Sequence, residues 1–253
     1  MSKLAKTSSF SQKHPVWTVV IIEVLLLLAV SAAGTYATIK ELSYTAPVLI
    51  SFIPIALVLI VYFTVKNKWS DLGFRPLNTI SSGKWIYYAP LAAVLITISF
   101  KGFREISTSE VLFFIFFTLL VAFVEESIYR GLIFKTLLTK GAKTAVITSS
   151  ILFSFTHLLN ALSGTDITQI LLQLVYALLI GFVLSLLMLK NNNILPLILF
   201  HFVHNLIQFV GNDNTSEYMG IDLFILLVLA VYCLWLALSF RKPNITKNLN
   251  QSS

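Results

Sequence analysis

The chain reads as all-α: one polytopic membrane domain of about eight transmembrane helices, with both termini in the cytoplasm. Composition is the first reason, since 57% hydrophobic and 11% charged residues with a mean hydropathy of +0.86 do not describe a water-soluble domain. Most of the 253 residues fall into apolar runs of roughly 16 to 24, long enough to cross roughly 30 Å of hydrocarbon as helices. Lys and Arg then sort to one side when these runs are counted as crossings.

In chain order the expected spans are 16–39, 45–65, 85–100, 111–134, 142–162, 167–189, 194–210 and 221–240, the third and seventh being short. The first follows basic residues and contains Ser31, Ala32 and Ala33, which imitate a signal-cleavage site. The run is too long for a signal h-region, so an uncleaved first span is expected. Between the second and third spans, KNKWSDLGFRPLNTISSGKW is polar, with Gly73, Pro76 and Gly83 as breakers. Trp69 and Trp85 are expected there as headgroup-level anchors. The tail after Arg241 is polar and short.

Counting Lys and Arg by alternate loops tests this map. On the N-terminal side lie Lys3, Lys6, Lys13, Lys66, Lys68, Arg75, Lys84, Lys135, Lys140, Lys143, Lys190, Arg241, Lys242 and Lys247. Only Lys40, Lys101 and Arg104 fall on the other side, and Arg130 lies within a span. Asp166, Asp213, Glu217 and Asp222 belong to the opposite, extracytoplasmic face. The net charge of +7 is thus dispersed over short loops facing anionic headgroups, and no nucleic-acid partner is expected. Cys233 is the only cysteine, so no intrachain disulfide can form, and it reads as a packing residue.

Against this apolar background three spans carry polar residues, each central charge costing roughly 2.5 to 3.5 kcal/mol. The fourth reads VLFFIFFTLLVAFVEESIYRGLIF. Glu126 and Arg130 are four apart and can pair on one helix face, while Glu125 is turned about 100° away and has no cation nearby in sequence. A carboxylate so placed can act as a general base toward water, its paired neighbour staying charged. The alternative is a Glu/Arg cluster that only joins helices. In the fifth span FSFTHLLN sets Phe153 one turn below His157; alone, such a histidine is a packing hydrogen bonder. In the seventh, HFVHN puts His201 and Asn205 on one face after Pro196, and His204 reads as a satisfied packing histidine.

Depth links the three spans. At 1.5 Å per residue from the cytoplasmic ends, Glu125 lies roughly 13 Å deep, His157 roughly 22 Å, His201 roughly 10 Å and Asn205 roughly 16 Å. Within the freedom of tilt they can meet around one water, with a base, a proton carrier and oxyanion donors, as amide hydrolysis requires.

These motifs resemble the CAAX prenyl protease and bacteriocin-processing (CPBP, or Abi) family of membrane proteins, whose pattern is EExxxR, FxxxH and HxxxN on successive core helices. Glu125, Glu126 and Arg130, then Phe153 and His157, then His201 and Asn205 match in order. The tetrad LGFR at Leu72–Arg75 is similar to a segment preceding the core in bacterial members, so the resemblance spans about 70 to 210 and the core motifs lie within 111–210. The resemblance implies an eight-helix intramembrane endopeptidase acting on a membrane-associated peptide or protein; the compact length and short loops look bacterial and place it in the plasma membrane. In it Glu125 activates water with His157, His201 and Asn205 stabilise the oxyanion, and Glu126 and Arg130 support the site. Members are often called metalloendopeptidases, and Glu125, His157 and His201 are chemically suitable zinc ligands, yet no HExxH is present and a metal-free glutamate mechanism fits the same residues. Two other classes stay open: a non-catalytic scaffold with a bacteriocin-immunity or regulatory role, and a polytopic transporter using the buried charges as an ion relay.

Overall fold

The computed structural model describes residues 10–159, 166–212 and 215–240, the side chains of 215–217 excepted. Lys3, Lys6, Asp213, Arg241, Lys242, Lys247 and the Glu217 side chain, used in the charge map, and the polar tail lie outside these residues.

Regular structure among the described residues is helical: α1 (Phe10–Lys13), α2 (Pro15–Ile39), α3 (Ala46–Val65), α4 (Ala89–Ser99), α5 (Thr108–Glu126), α6 (Phe134–Leu137), α7 (Ala142–Thr156), α8 (Ile167–Asn191), α9 (Leu195–Val210) and α10 (Thr215–Leu238). Among the described residues six segments are long and apolar enough to cross a membrane, α5 and α6 forming part of one of them, Thr108–Lys140. The two expected short spans are the remainder. The seventh is the 16-residue α9, and the third is the 11-residue α4 preceded by a 3-10 stretch, Ser82–Tyr88.

The core lies where α7 packs on α8 and α5 on α9, with α10 against α8 and α2 against α3. Ala122, Val124, Ala145, Val183, Leu184, Leu187 and Leu197 are buried there. Outward positions such as Leu25, Leu57, Val61, Leu112, Leu227 and Leu234 are apolar as well and exposed. A helix apolar on every side suits a lipid solvent rather than water.

Local chemistry fixes the ends of the site-bearing helices. Ser107 and Glu110 close a reciprocal capping box at the start of α5, and Asp166 accepts from the Thr168 and Gln169 amides at the start of α8. Asn192, in the left-handed region, ends α8. The LGFR tetrad clasps the start of α9: the Ile194 amide donates to the Gly73 carbonyl at 2.9 Å. Asn193, buried just before α9, donates to the carbonyls of Arg75 and Pro76. Gly73 has φ +97°, so the backbone conformation calls for glycine. Trp69 sits edge-on to Phe63 and Phe74, which joins the loop to α3.

Candidate active site

The fourth span is not a uniform α-helix. After Glu126 it passes into a π-helical stretch, Ser127–Ile133, with the Phe134 amide reaching back five residues to the Tyr129 carbonyl. Such wide turns occur mostly as single bulges within α-helices, frequently at functional sites. Here the turn carries Tyr129 and Arg130, both buried, directly after the paired acids.

Glu126 is fully buried, and one of its oxygens, Oε1, accepts from Arg130 Nη1 at 2.8 Å and from His201 Nδ1 at 2.9 Å. Because the carboxylate accepts, the imidazole carries a proton on Nδ1 and turns Nε2 away from Glu126. That nitrogen stands 3.4 Å from the Glu125 Oε2. The arrangement is therefore a buried series, Arg130, Glu126, His201, Glu125. Glu125 is its partly open end, with 14% of its side-chain surface accessible against none for Glu126.

Phe153 binds the other residues to this series. Its ring lies 4.4 Å beneath the Arg130 guanidinium and makes edge contacts with Tyr129, His157 and His201 at centroid distances of 5.2, 5.1 and 5.9 Å. His157 begins a 3-10 turn over residues 157–159, where its own amide bonds to Phe155 and Ser154 and leaves the Phe153 carbonyl to the ring. Nδ1–H of His157 donates to that carbonyl at 3.0 Å, so Nε2 is its remaining functional nitrogen. Asn205 lies one turn beyond His201, and its Oδ1 accepts from the His204 Nδ1–H at 3.1 Å. His204 Nε2 in turn accepts from the Tyr176 hydroxyl at 2.6 Å, so His204 has both nitrogens satisfied, as a packing histidine does.

Sequence reading paired Glu126 with Arg130 correctly but missed that the same oxygen holds His201, a contact between helices that no spacing reveals. It also missed Glu23, a buried acid in α2, whose Oε1 lies 3.2 Å from the Thr156 hydroxyl, which also hydrogen-bonds the Tyr129 hydroxyl. The signal was present: PVWTVVIIEVLLLL contains one charge in an apolar run, and the cost argument applied to Glu125 applies to it as well.

The donors suggested for zinc were Glu125, His157 and His201. Among the described residues no three His, Cys, Asp or Glu side chains are gathered closely enough to hold a metal ion. His201 donates Nδ1–H to Glu126 and His157 donates Nδ1–H to a backbone carbonyl, and neither bond engages the Nε2 of its ring.

Residues 107–207, which contain all three motifs, match the family model described as Rce1-like, type II CAAX prenyl endopeptidase. No curated protein and no solved structure matches the chain. Through this core, 107–207, the chain is similar to the CAAX prenyl endopeptidase family, whose members are proteases.

Proposed function

We infer that the protein is an intramembrane endopeptidase that hydrolyses a peptide bond in a membrane-associated peptide or protein, with Glu125 as the base that activates water. The observation that carries this reading is the contact series ending at Glu125, in which a buried Arg130–Glu126 pair orients His201 and leaves the one partly accessible carboxylate beside Nε2. Glu125 takes a proton from water as the oxygen attacks the carbonyl carbon. It returns that proton to the departing amine, so no net proton is needed. His201, flanked by two carboxylates, serves as an Nε2–H donor to the developing oxyanion, and Asn205 adds its NH₂ group, since His204 occupies the amide oxygen. His157, with Nδ1 committed to the backbone, directs Nε2 toward the water. No step runs through a metal.

The same reading includes eight crossings with both termini on the Lys- and Arg-rich cytoplasmic side of a bacterial plasma membrane. The charge asymmetry of the loops supports it.

The test is cleavage of a quenched fluorescent peptide ending in prenylated Cys-aliphatic-aliphatic-X by the purified protein in proteoliposomes. Glu125→Gln and His157→Ala are expected to abolish turnover, at least about a hundredfold, the scale of a lost general base, while the protein inserts and unfolds as wild type does. Wild-type turnover that survives Glu125→Gln would overturn the assignment, and a cellular phenotype indifferent to the same change would favour a scaffold.

A further inference from the structure

Glu23 is used by none of these steps. It lies roughly 12 Å along α2 from the helix start, close to the roughly 13 Å expected for Glu125. Only 6% of it is exposed, and Oε2 is buried without a hydrogen-bond partner. Among the described residues it has no ion-pair partner. The polar groups that face it are the Thr156 hydroxyl from α7 and, across that hydroxyl, the Tyr129 phenol from the π-helical turn. Tyr129 stands in the electrostatic field of both Glu23 and Glu125, with Arg130 also within reach.

Hydrogen counting along this chain has a consequence. Thr156 has one proton, and its oxygen is within bonding distance of Glu23, of Tyr129 and, at 3.0 Å, of the Leu152 carbonyl. If Glu23 is ionised, Thr156 must donate to it and Tyr129 must donate to Thr156, so both protons point away from Glu125. If Glu23 is neutral it can donate to Thr156, which is then free to donate to Tyr129, and the phenol proton is released toward the other side. A carboxyl without a cation in a bilayer interior is held neutral, because an isolated charge there is far more expensive than a hydrogen-bonded acid.

We propose that Glu23 is a positioning residue of the active site: as a neutral carboxyl it donates to Thr156, Thr156 donates to Tyr129, and the Tyr129 hydroxyl proton is thereby turned toward Glu125. Glu125 and Tyr129 are four residues apart on the same segment, so the phenol becomes a donor to whatever Glu125 holds. The assignment rests on the hydrolytic reading of Glu125, and its test has one arm that does not depend on turnover.

That arm is infrared difference spectroscopy of the full-length protein in proteoliposomes at neutral pH. A protonated-carboxyl stretch should vanish in Glu23→Gln and shift in Thr156→Val, which removes its hydrogen bond. The absence of a Glu23-dependent carboxyl band, or a band unmoved by Thr156→Val, overturns the proposal. The second arm is cleavage of the prenylated peptide. Thr156→Val and Tyr129→Phe should each lower kcat about tenfold, or about 1.4 kcal/mol, with KM unchanged. The double variant should be no worse than either single one, because both break the same chain. Glu23→Gln, whose amide can donate to Thr156 as the acid does, should stay within about threefold of wild type, and Glu23→Leu should fall with the others. Unchanged kcat in Thr156→Val, or additive losses in the double variant, would assign Glu23 to packing. Cleavage surviving in Glu125→Gln would instead remove the hydrolytic reading and leave the infrared arm to decide the hydrogen-bond chain.

Discussion

Arg130 is the residue on which the geometry converges. Its guanidinium is fully buried, donates to Glu126 and to the Gly181 carbonyl of α8, and lies over the Phe153 ring, while its Nε has no partner. A buried ion pair contributes little against an apolar replacement of both members, whereas removing one member leaves a stranded charge. Arg130→Met is therefore expected to lower stability by about 3 to 5 kcal/mol, with Glu126→Gln/Arg130→Met recovering part of the loss, as read by thermal unfolding in detergent micelles. Arg130→Lys should fall between, since an ammonium keeps the charge but not the planar fork that reaches two acceptors. A single Arg130→Met variant as stable as wild type would show that Glu126 needs no counter-charge. At this scale the sequence revealed pairs within one helix, because a spacing of four is a local fact. It did not reveal the Glu126–His201 bond or the Glu23–Thr156–Tyr129 chain, which join residues on different helices.

At the scale of elements, the site is held together by how closely α7 and α8 approach. Ser149 donates to the Tyr129 carbonyl, Ser154 to the Leu174 carbonyl, and Ser150 stands beside Ser185. Small residues let helix backbones meet in a bilayer, where apolar surface alone supplies little reason to associate. At Gly181 there is little room: a Cβ there would lie 3.1 Å from the Ser150 Cα. Gly181→Ala is expected to cost about 1 kcal/mol, and Gly181→Leu about 3, measured by unfolding in detergent. Gly181→Leu should also depress turnover, because α8 would carry away the carbonyl that Arg130 uses. Wild-type stability in Gly181→Leu would mean that the two helices are not packed at this point. Helix positions were legible from apolar runs and breakers, but the π-helical turn after Glu126 was not, since SIYRGLI carries no proline to mark it.

For the whole molecule, the open question is whether the two short helices cross, and their connections constrain the answer. Before them, the Gly73–Pro76 segment is bonded to Asn193 and Ile194; after them, Arg104 bonds to the Val210 and Phe209 carbonyls and Asn212 to those of Gly102 and Lys101. With α4 packed against α9 and both ends tied, the pair crosses together or not at all. Length favours crossing. Seven 3-10 residues at about 2.0 Å each and eleven α-helical residues at 1.5 Å reach roughly 30 Å, the thickness of a hydrocarbon core, where an all-α segment of the same length would fall short. Charge supports the same direction, with Arg75 and Lys84 before α4, and after it Lys101 neutralised by Asp222 at 2.5 Å. Single cysteines at Asn78 and Glu105, in a Cys233→Ser background, test this in intact cells with a membrane-impermeant maleimide. Glu105→Cys is expected to react from outside, and Asn78→Cys only after permeabilisation. Asn212→Cys should follow Glu105→Cys, because the loop clasp puts them on one face. Asn78 and Glu105 labelling from the same side would reduce the topology to six crossings, and α9, which carries His201 and Asn205, would then need a re-entrant path. Opposite labelling with the sides exchanged would keep eight crossings but reverse the termini.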